Sequence, residues 1–430
     1  MAKVKAFKGI RFNTEKAGKI EQLVCPPYDI ISEEQRQSYI EINENNVIRL
    51  ELPSGANPYA KAKKLYEKMK ADGVLMREQE PALYIYEEVF EALGRRCSVK
   101  GIIAAVKIEE FEKGVILPHE YTLSKAKEDR MELMKATNCN FSQIYSLYMD
   151  SEHKTTKKLD FLSLREPDIS LTDNEGVAHK LWIVRDKAQI NSICSDFDDR
   201  KLYIADGHHR YETALAYRDY CRENGLSKEG DSVDYQMMML VDMEHPGLVV
   251  LPTHRIVRNL PVFNERSVRN VLERCEKYFD VEKIENIGMV DNTLANEYAN
   301  GKTAFAFYCG GVSCYLLRLK DKSIMKSILP ALSEASVGLD VTVLHNLILE
   351  RIFGINKENM ANQTNLLYTR KTQEAIESVQ TGKSQCAFIM NPTRVTQIRD
   401  VALAGEKMPQ KSTYFYPKLI TGLVMNELTD

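Results

Sequence analysis

Apolar and polar positions change period along the chain, and the clearest change lies near its middle. Residues 202–205 form a continuous apolar run, Asp206-Gly207 interrupts it, and apolar side chains then recur at helical spacing through residues 211–221. This pattern predicts a strand, a tight turn and a helix.

The best hairpin signal is the pair of apolar runs at residues 83–90 and 98–108, joined through Gly94-Arg95-Arg96. Other runs predict strands at 46–52, 181–184, 236–241, 248–251, 303–308, 313–319 and 386–390. Helical periodicity, with Ser32 as one cap and Pro58 at the start of another helix, predicts helices after 32, after 57, at 266–279, at 341–352 and at 393–403.

Length and charge narrow the class of protein. At 430 residues the chain is expected to form two or three domains of α+β type with mixed α/β content. The net charge of −3 gives no general affinity for nucleic acid.

The first residues lack the apolar core of a signal peptide, and no run reaches the ~18 apolar residues of a membrane span, so we expect a cytoplasmic protein without a membrane partner. The nine scattered cysteines predict reduced, mostly buried thiols.

The central turn has the composition of an anion site. Gly207 permits a sharp bend and a close backbone approach, and the following helix presents its positive end there. His208, His209 and Arg210 add donors suited to phosphate, while Asp206 supplies a carboxylate for Mg²⁺ or for orienting a histidine. The same residues also suit part of a zinc site or an exposed turn without a ligand.

Two further segments carry candidate chemistry. Pro118 ends an apolar run, so His119 and Glu120 lie at a strand-to-loop junction, where a carboxylate acts as a general base if it meets the phosphate turn. A capping or surface role is the alternative. His254 and Arg255 end another apolar run and are weaker candidates for the same pocket.

A segment near the C-terminus, residues 408–418, combines a charge with hydroxyl groups. Lys411, Ser412 and Thr413 suit an anion, although the glycines of a Walker loop are missing. We expect this segment to fold back to the central turn.

Taken together, these motifs resemble the bacterial family labelled domain of unknown function 1015 over the whole chain. The matching landmarks are Cys25-Pro-Pro-Tyr-Asp29, Asn46-Val-Ile-Arg-Leu-Glu-Leu-Pro53, Pro118-His-Glu-Tyr-Thr122 with Asp129-Arg130, Ala205-Asp-Gly-His-His-Arg-Tyr211, Leu251-Pro-Thr-His-Arg255, Leu339-Asp-Val341 and Met408-Pro-Gln-Lys-Ser-Thr-Tyr414.

The part from Leu83 to Arg255 also resembles the ParB/sulfiredoxin superfamily, and within it the free serine kinases. That resemblance implies a ParB/sulfiredoxin-like phosphate-binding catalytic domain at 83–258. The outer parts of the chain have no counterpart in those kinases. For them we expect an N-terminal segment at 1–82 that packs on the core and, because the pattern changes to an α/β rhythm near residue 260, a C-terminal α/β domain at 259–430. The resemblance also implies that Glu120 is the catalytic base, that Asp206, His208 and His209 share the catalysis, and that the turn binds the transferable phosphate. The thiol of sulfiredoxins and the helix-turn-helix of ParB proteins have no counterpart here.

These observations lead to one hypothesis and two alternatives. The hypothesis is a kinase for free L-serine that uses ATP, ADP or pyrophosphate with Mg²⁺. The phosphate would be bound by Gly207, His208, His209, Arg210, Lys411, Ser412 and Thr413. Substrate contacts are predicted for His119, Thr122, Arg130, His254 and Arg255. The alternatives are a non-catalytic nucleotide-binding regulatory module and a metal-dependent hydrolase that uses Asp206, His208 and His209.

Overall fold

The computed structural model describes residues 1–120, 122 and 124–429, without the side chains of 124–126 and 361. Tyr121, part of the Pro-His-Glu-Tyr-Thr landmark, therefore lies outside the described residues. The chain forms two compact units. The first contains residues 1–118, 122–249 and 415–429, and the second contains His119, Glu120 and residues 250–414. The three domain ranges given above remain a prediction.

A nine-stranded mixed sheet forms the centre of the first unit. Its strands lie in the order Ile116–Leu117, Leu202–Asp206, Ile144–Tyr148, Tyr235–Asp242, Arg95–Lys107, Leu83–Ala92, Ala178–Val184 and Ile169–Thr172, with Val4–Lys5 paired to Arg95–Lys107. Two small antiparallel pairs join Ile10–Phe12 to Leu75–Arg77 and Cys139–Asn140 to Asn426–Glu427. The predicted hairpin at 83–108 is confirmed, with Tyr84 opposite Ile103.

Helices of the first unit contact this sheet or one another. The α-helices are Thr14–Ala17, Glu33–Ile42, Ile48–Glu51, Pro58–Ala71, Ser124–Thr137, Lys154–Leu162, Lys187–Ser195 and His208–Glu223. Short 3₁₀ turns lie at Ile20–Gln22, Tyr28–Ile30, Phe111–Lys113 and Ser232–Asp234. Ser32 forms the predicted cap, because its hydroxyl accepts from the Gln35 N–H and the Gln35 side chain accepts from the Ser32 N–H. Ile102, Met238 and Leu240 belong to the fully buried core.

The predicted strand at 46–52 is wrong, because Ile48–Glu51 is a helical turn. Asn46 explains the difference. Its Oδ1 accepts from the Ile48 N–H at 2.9 Å, and its amide nitrogen donates to the backbone oxygens of residues 22 and 24. An asparagine whose side chain accepts from the N–H two residues on forms a turn, which competes with strand pairing. The turn also buries Glu51 beside Ile48, which alternation alone does not reveal.

The second unit is built on a six-stranded antiparallel sheet. Its strands lie in the order Phe279–Ile284, Cys314–Leu319, Ala304–Tyr308, Cys386–Met390, His254–Val257 and Leu366–Thr369. Its α-helices are Glu265–Cys275, Val290–Ala299, Ser323–Ile328, Glu334–Val337, Asp340–Val343, Lys357–Asn362, Thr372–Gln380 and Val395–Leu403, with a 3₁₀ turn at Ile287–Met289. The helix predicted at 341–352 is interrupted, since Leu344–Glu350 is π-helical.

Two short strands, Val249–Val250 and Phe415–Tyr416, lie where the chain passes from one unit to the other. All nine cysteines are free thiols, and all but Cys194 and Cys309 are buried. In the described ranges, no helix combines the length and apolar character needed to cross a bilayer.

Candidate functional site

The predicted strand, turn and helix are present in the first unit. Leu202–Asp206 ends at Gly207, which has φ 95° and occupies the N-cap of the helix His208–Glu223. A Cβ atom at residue 207 would lie 3.0 Å from the Nε and Nη2 atoms of Arg210. The left-handed backbone therefore favours glycine here, and a larger residue would also push the Arg210 guanidinium out of its place.

Asp206 organises the charges of this turn. One carboxylate oxygen contacts Lys418 Nζ, and the other accepts from Arg210 Nη2 at 2.9 Å. Burial alone would raise the pKa of Asp206, but the charges of Lys418 and Arg210 outweigh burial and lower it to about 2. The carboxylate is therefore ionised at neutral pH, and it holds two cations beside the start of the helix.

This geometry bears on the magnesium ligand predicted at Asp206. Both of its oxygens face a cation, so a Mg²⁺ ion bound directly to this carboxylate would have to displace Lys418 or Arg210. The residues present at the turn suit an anion, and Asp206 does not fit direct Mg²⁺ coordination. Among residues 1–120, 122 and 124–429, no group of three or more His, Cys, Asp or Glu side chains is arranged to hold a metal.

His208 and His209 occupy the first helical turn. His208 is buried and His209 is half-buried. The first turn of a helix also presents backbone N–H groups and the positive end of the dipole, both of which attract anions. Two imidazoles, an arginine and a lysine are thus gathered at one helix start, a donor set appropriate to phosphate oxygens.

Arg210 is fixed by more than its ion pair. Its Nη1 donates to the backbone oxygen of Gln143, and the guanidinium borders a small cavity of about 30 Å³. Arg130 borders the same cavity, so the structure brings together two of the arginines singled out in the sequence.

Arg130 is held tightly in this region. Its Nη1 donates to the backbone oxygen of Glu51 at 2.7 Å, its Nε donates to Asp129 at 2.9 Å, and its guanidinium stacks over the Tyr28 ring at 4.0 Å. Burial raises the pKa of Glu51, although Arg130 and a hydrogen bond from Ser142 oppose this effect. Tyr28 and Glu51 belong to landmarks whose roles sequence reasoning left open.

Thr122 lies against the helix that follows the turn. Its hydroxyl donates to Glu212 at 2.7 Å, and Lys127 pairs with the same Glu212 oxygen at 2.8 Å. Both contacts attach the start of the helix Ser124–Thr137 to the helix His208–Glu223. The hydroxyl of Thr122 is thus engaged within the protein.

In the second unit, Glu120 and the segment 408–413 form one cluster. Glu120 forms a parallel bridge with Met408, and its carboxylate accepts from the Lys411 N–H at 3.0 Å. His119 Nε2 lies 2.9 Å from the Thr413 hydroxyl. The Ser412 hydroxyl donates to the Pro409 oxygen at 2.5 Å. These contacts hold Glu120, the predicted base, against the segment that contains Lys411, Ser412 and Thr413.

His254 and Arg255 are buried in the second unit. The ring nitrogens of His254 lie 3.2 Å from the Met390 N–H and 3.4 Å from the Thr372 hydroxyl. Burial, together with the Arg255 charge, lowers the pKa of His254 to about 4. Arg255 Nη2 donates to the Lys411 oxygen at 3.0 Å. His254 therefore has structural partners, whereas Arg255 supports the backbone that holds Glu120.

Sequence reasoning missed Lys418 as a partner of the turn. This residue ends the 408–418 segment, which was expected to reach the turn, and its contact with Asp206 lies within the first unit. Lys411, Ser412 and Thr413, which were selected instead, belong to the second unit. The polar and aromatic residues between Pro409 and Pro417 indicate an anion-binding segment, but they do not indicate which lysine contacts Asp206.

The chain belongs to the family described as "Protein of unknown function (DUF1015)", whose model matches residues 4–342. No curated protein matches the chain significantly.

The chain is similar at low identity to solved structures that include the following three. A free serine kinase in complex with AMP is 13% identical with a TM-score of 0.36, over 77% of this chain and 92% of that one. SbnI from Staphylococcus aureus, with a C-terminal truncation, is 10% identical with a TM-score of 0.34, over 73% and 85%. A conserved hypothetical protein from Pyrococcus furiosus is 12% identical with a TM-score of 0.33, over 73% and 90%. At such TM-scores these similarities carry no argument about activity.

Proposed function

We propose that the chain is a small-molecule kinase that transfers a phosphoryl group from ATP, ADP or pyrophosphate to the hydroxyl of free L-serine. The observation that carries this proposal is the donor set at the Asp206–Arg210 turn. There, Arg210 and Lys418 flank an ionised carboxylate next to His208 and His209 at a helix start. Catalysis of phosphoryl transfer depends chiefly on positioning and on neutralising the charge of the transferred group, which is what such a turn supplies.

In the proposed reaction, the serine Oγ attacks the terminal phosphorus of the donor. A new O–P bond forms, the bridging P–O bond breaks, and its electron pair leaves with ADP, AMP or phosphate according to the donor. Glu120 accepts the hydroxyl proton, a role taken from the resemblance to free serine kinases. Mg²⁺ accompanies the donor.

The remaining predicted residues take supporting roles in this proposal. Asp206 positions Arg210 and Lys418, because its low pKa keeps it charged. Its proton affinity is too low for a general base near neutral pH. The contacts from Lys411 and Thr413 position Glu120 and His119.

The test is direct measurement of O-phosphoserine after purified protein is incubated with L-serine and Mg²⁺ against ATP, ADP and pyrophosphate separately. The proposal expects phosphoserine with at least one donor, in amounts that exceed the enzyme concentration. Saturable donor binding without any product would favour the nucleotide-binding regulatory module. Hydrolysis of a donor that is lost on chelation and does not depend on serine would favour the metal-dependent hydrolase.

A further inference from the structure

The second unit contains a pocket that the proposed phosphoryl transfer does not use. Its cavity volume is about 380 Å³, within the usual range of roughly 300–1,000 Å³ for small-molecule sites. Leu329, Leu332, Met360 and the Tyr368 ring supply much of its wall, with Pro409 beside them. These apolar groups favour a ligand with a hydrocarbon or aromatic body.

One side of this pocket comes from an unusual backbone. His345 and Asn346 line it from the π-helical turn Leu344–Glu350, where the Phe353 N–H reaches back five residues to the Ile348 oxygen at 3.0 Å. Single π turns inside helices are rare and occur frequently at functional sites. Here the turn places two polar side chains together beside the apolar part of the wall.

His345 offers a defined hydrogen-bond donor. Its Nε2 accepts from Arg255 Nε at 3.4 Å, which leaves the ring proton on Nδ1. Burial, with the Arg255 charge, lowers the pKa of His345 well below its usual value, so the ring is neutral. A neutral imidazole donor backed by a buried guanidinium suits a ligand group that accepts hydrogen bonds.

The charged residues of the pocket favour an anion. Lys357 and Lys407 contribute two positive charges to its lining, and Glu350 contributes one negative charge. Arg255 adds a third positive charge behind His345, and the Glu120 carboxylate partly offsets it. The balance is positive, and the apolar wall shields part of it from water, which strengthens its attraction for an anion.

We propose that this pocket binds a small organic anion with an apolar body, of the class of aromatic and medium-chain carboxylates. The apolar body packs against Leu329, Leu332 and Tyr368, and the carboxylate accepts from His345 and pairs with Lys357. The five residues that contact the proposed ligand lie outside the phosphate turn and the Glu120 cluster, although Pro409 of that cluster also borders the pocket. Binding of the anion is therefore measured without phosphoryl transfer, and its outcome does not depend on the proposed kinase activity.

The test uses the full-length protein with phenylacetate and hexanoate as probes and phenylacetamide as the neutral control, in isothermal titration or ligand-observed NMR. At least one anion is expected to bind saturably with a Kd on the order of millimolar or tighter, as its small size allows. Phenylacetamide is expected to bind at least about threefold more weakly than phenylacetate. Failure of both anions to saturate, or equal affinity for the amide, would overturn the proposal.

Two variants with matched controls locate the binding. Leu332→Trp fills the pocket and is expected to weaken binding about tenfold or more, whereas Leu403→Trp, at an exposed helix position, leaves it unchanged. Lys357→Ala is expected to weaken anion binding about threefold, and Lys383→Ala at another exposed lysine has no effect. Unchanged affinity in both pocket variants would place the probes elsewhere and refute the assignment.

Discussion

Replacing Asp206 by asparagine tests whether this carboxylate holds the cations of the phosphate turn. Asn keeps the shape of the side chain and removes its charge, so Lys418 and Arg210 lose the anion between them. The side chain of Asp206 is 20% exposed, so its ion pairs are only partly screened by water.

The magnitude follows from the pKa of Asp206. A change from 3.8 to about 2 on folding, at roughly 1.4 kcal/mol per pKa unit, corresponds to about 2.5 kcal/mol. Because the pKa is lowered in the folded state, this stability is fully present above pH 3.8 and is lost as the pH falls towards 2. About half of it remains at pH 3. Asp206→Asn is therefore expected to lower the free energy of unfolding by about 2–3 kcal/mol at pH 7 and by about half as much at pH 3.

The only tryptophan in the sequence, Trp182, makes the assay specific for the first unit. It is buried in the strand Ala178–Val184, so urea unfolding followed by fluorescence excited at 295 nm reports this sheet. Asp199→Asn, at an exposed position, is the control and is expected to change stability by less than about 0.5 kcal/mol. A loss under 0.5 kcal/mol in Asp206→Asn, or the same loss at pH 7 and pH 3, would refute the electrostatic reasoning.

Three further results are expected. Gly207→Ala should destabilise the first unit by about 1 kcal/mol more than Gly225→Ala in the same urea titration. Both glycines have positive φ, but only at residue 207 would the added Cβ lie 3.0 Å from a guanidinium. Equal losses of stability would show that this close approach costs nothing. In NMR of ¹⁵N-labelled histidine, His254 should stay neutral down to about pH 4, and titration near pH 6.5 would contradict its burial. Lys418→Met should weaken pyrophosphate binding about tenfold in isothermal titration while Lys383→Met does not, and equal affinities would remove Lys418 from the site.

Local interactions explain what could be predicted from the sequence. The strand, glycine turn and helix around Asp206 depend on neighbouring residues, as does the hairpin at 83–108, and both are present. The segment 46–52 was mispredicted because its apolar spacing also suits a helical turn, and the side-chain bonds of Asn46 decide between the two.

Contacts between residues distant in sequence explain what could not be predicted. Lys418 meets Asp206 across 212 positions, and Lys411 meets Glu120 across 291. Composition marks the 408–418 segment as suited to anions, but it does not specify which lysine reaches which carboxylate. The π-helical turn at Leu344–Glu350 was likewise hidden, because its apolar spacing resembles that of an ordinary helix.

The most direct test of the proposed kinase compares Glu120→Gln with Glu128→Gln, an exposed glutamate on the following helix. Phosphoserine formation is measured under single-turnover conditions, and donor binding is measured by titration. The proposed role of Glu120 as base predicts a rate at least about 100-fold lower in Glu120→Gln with donor affinity unchanged, while Glu128→Gln behaves as the wild type. Equal rates in the three proteins would contradict the central claim that this carboxylate takes the proton of the acceptor.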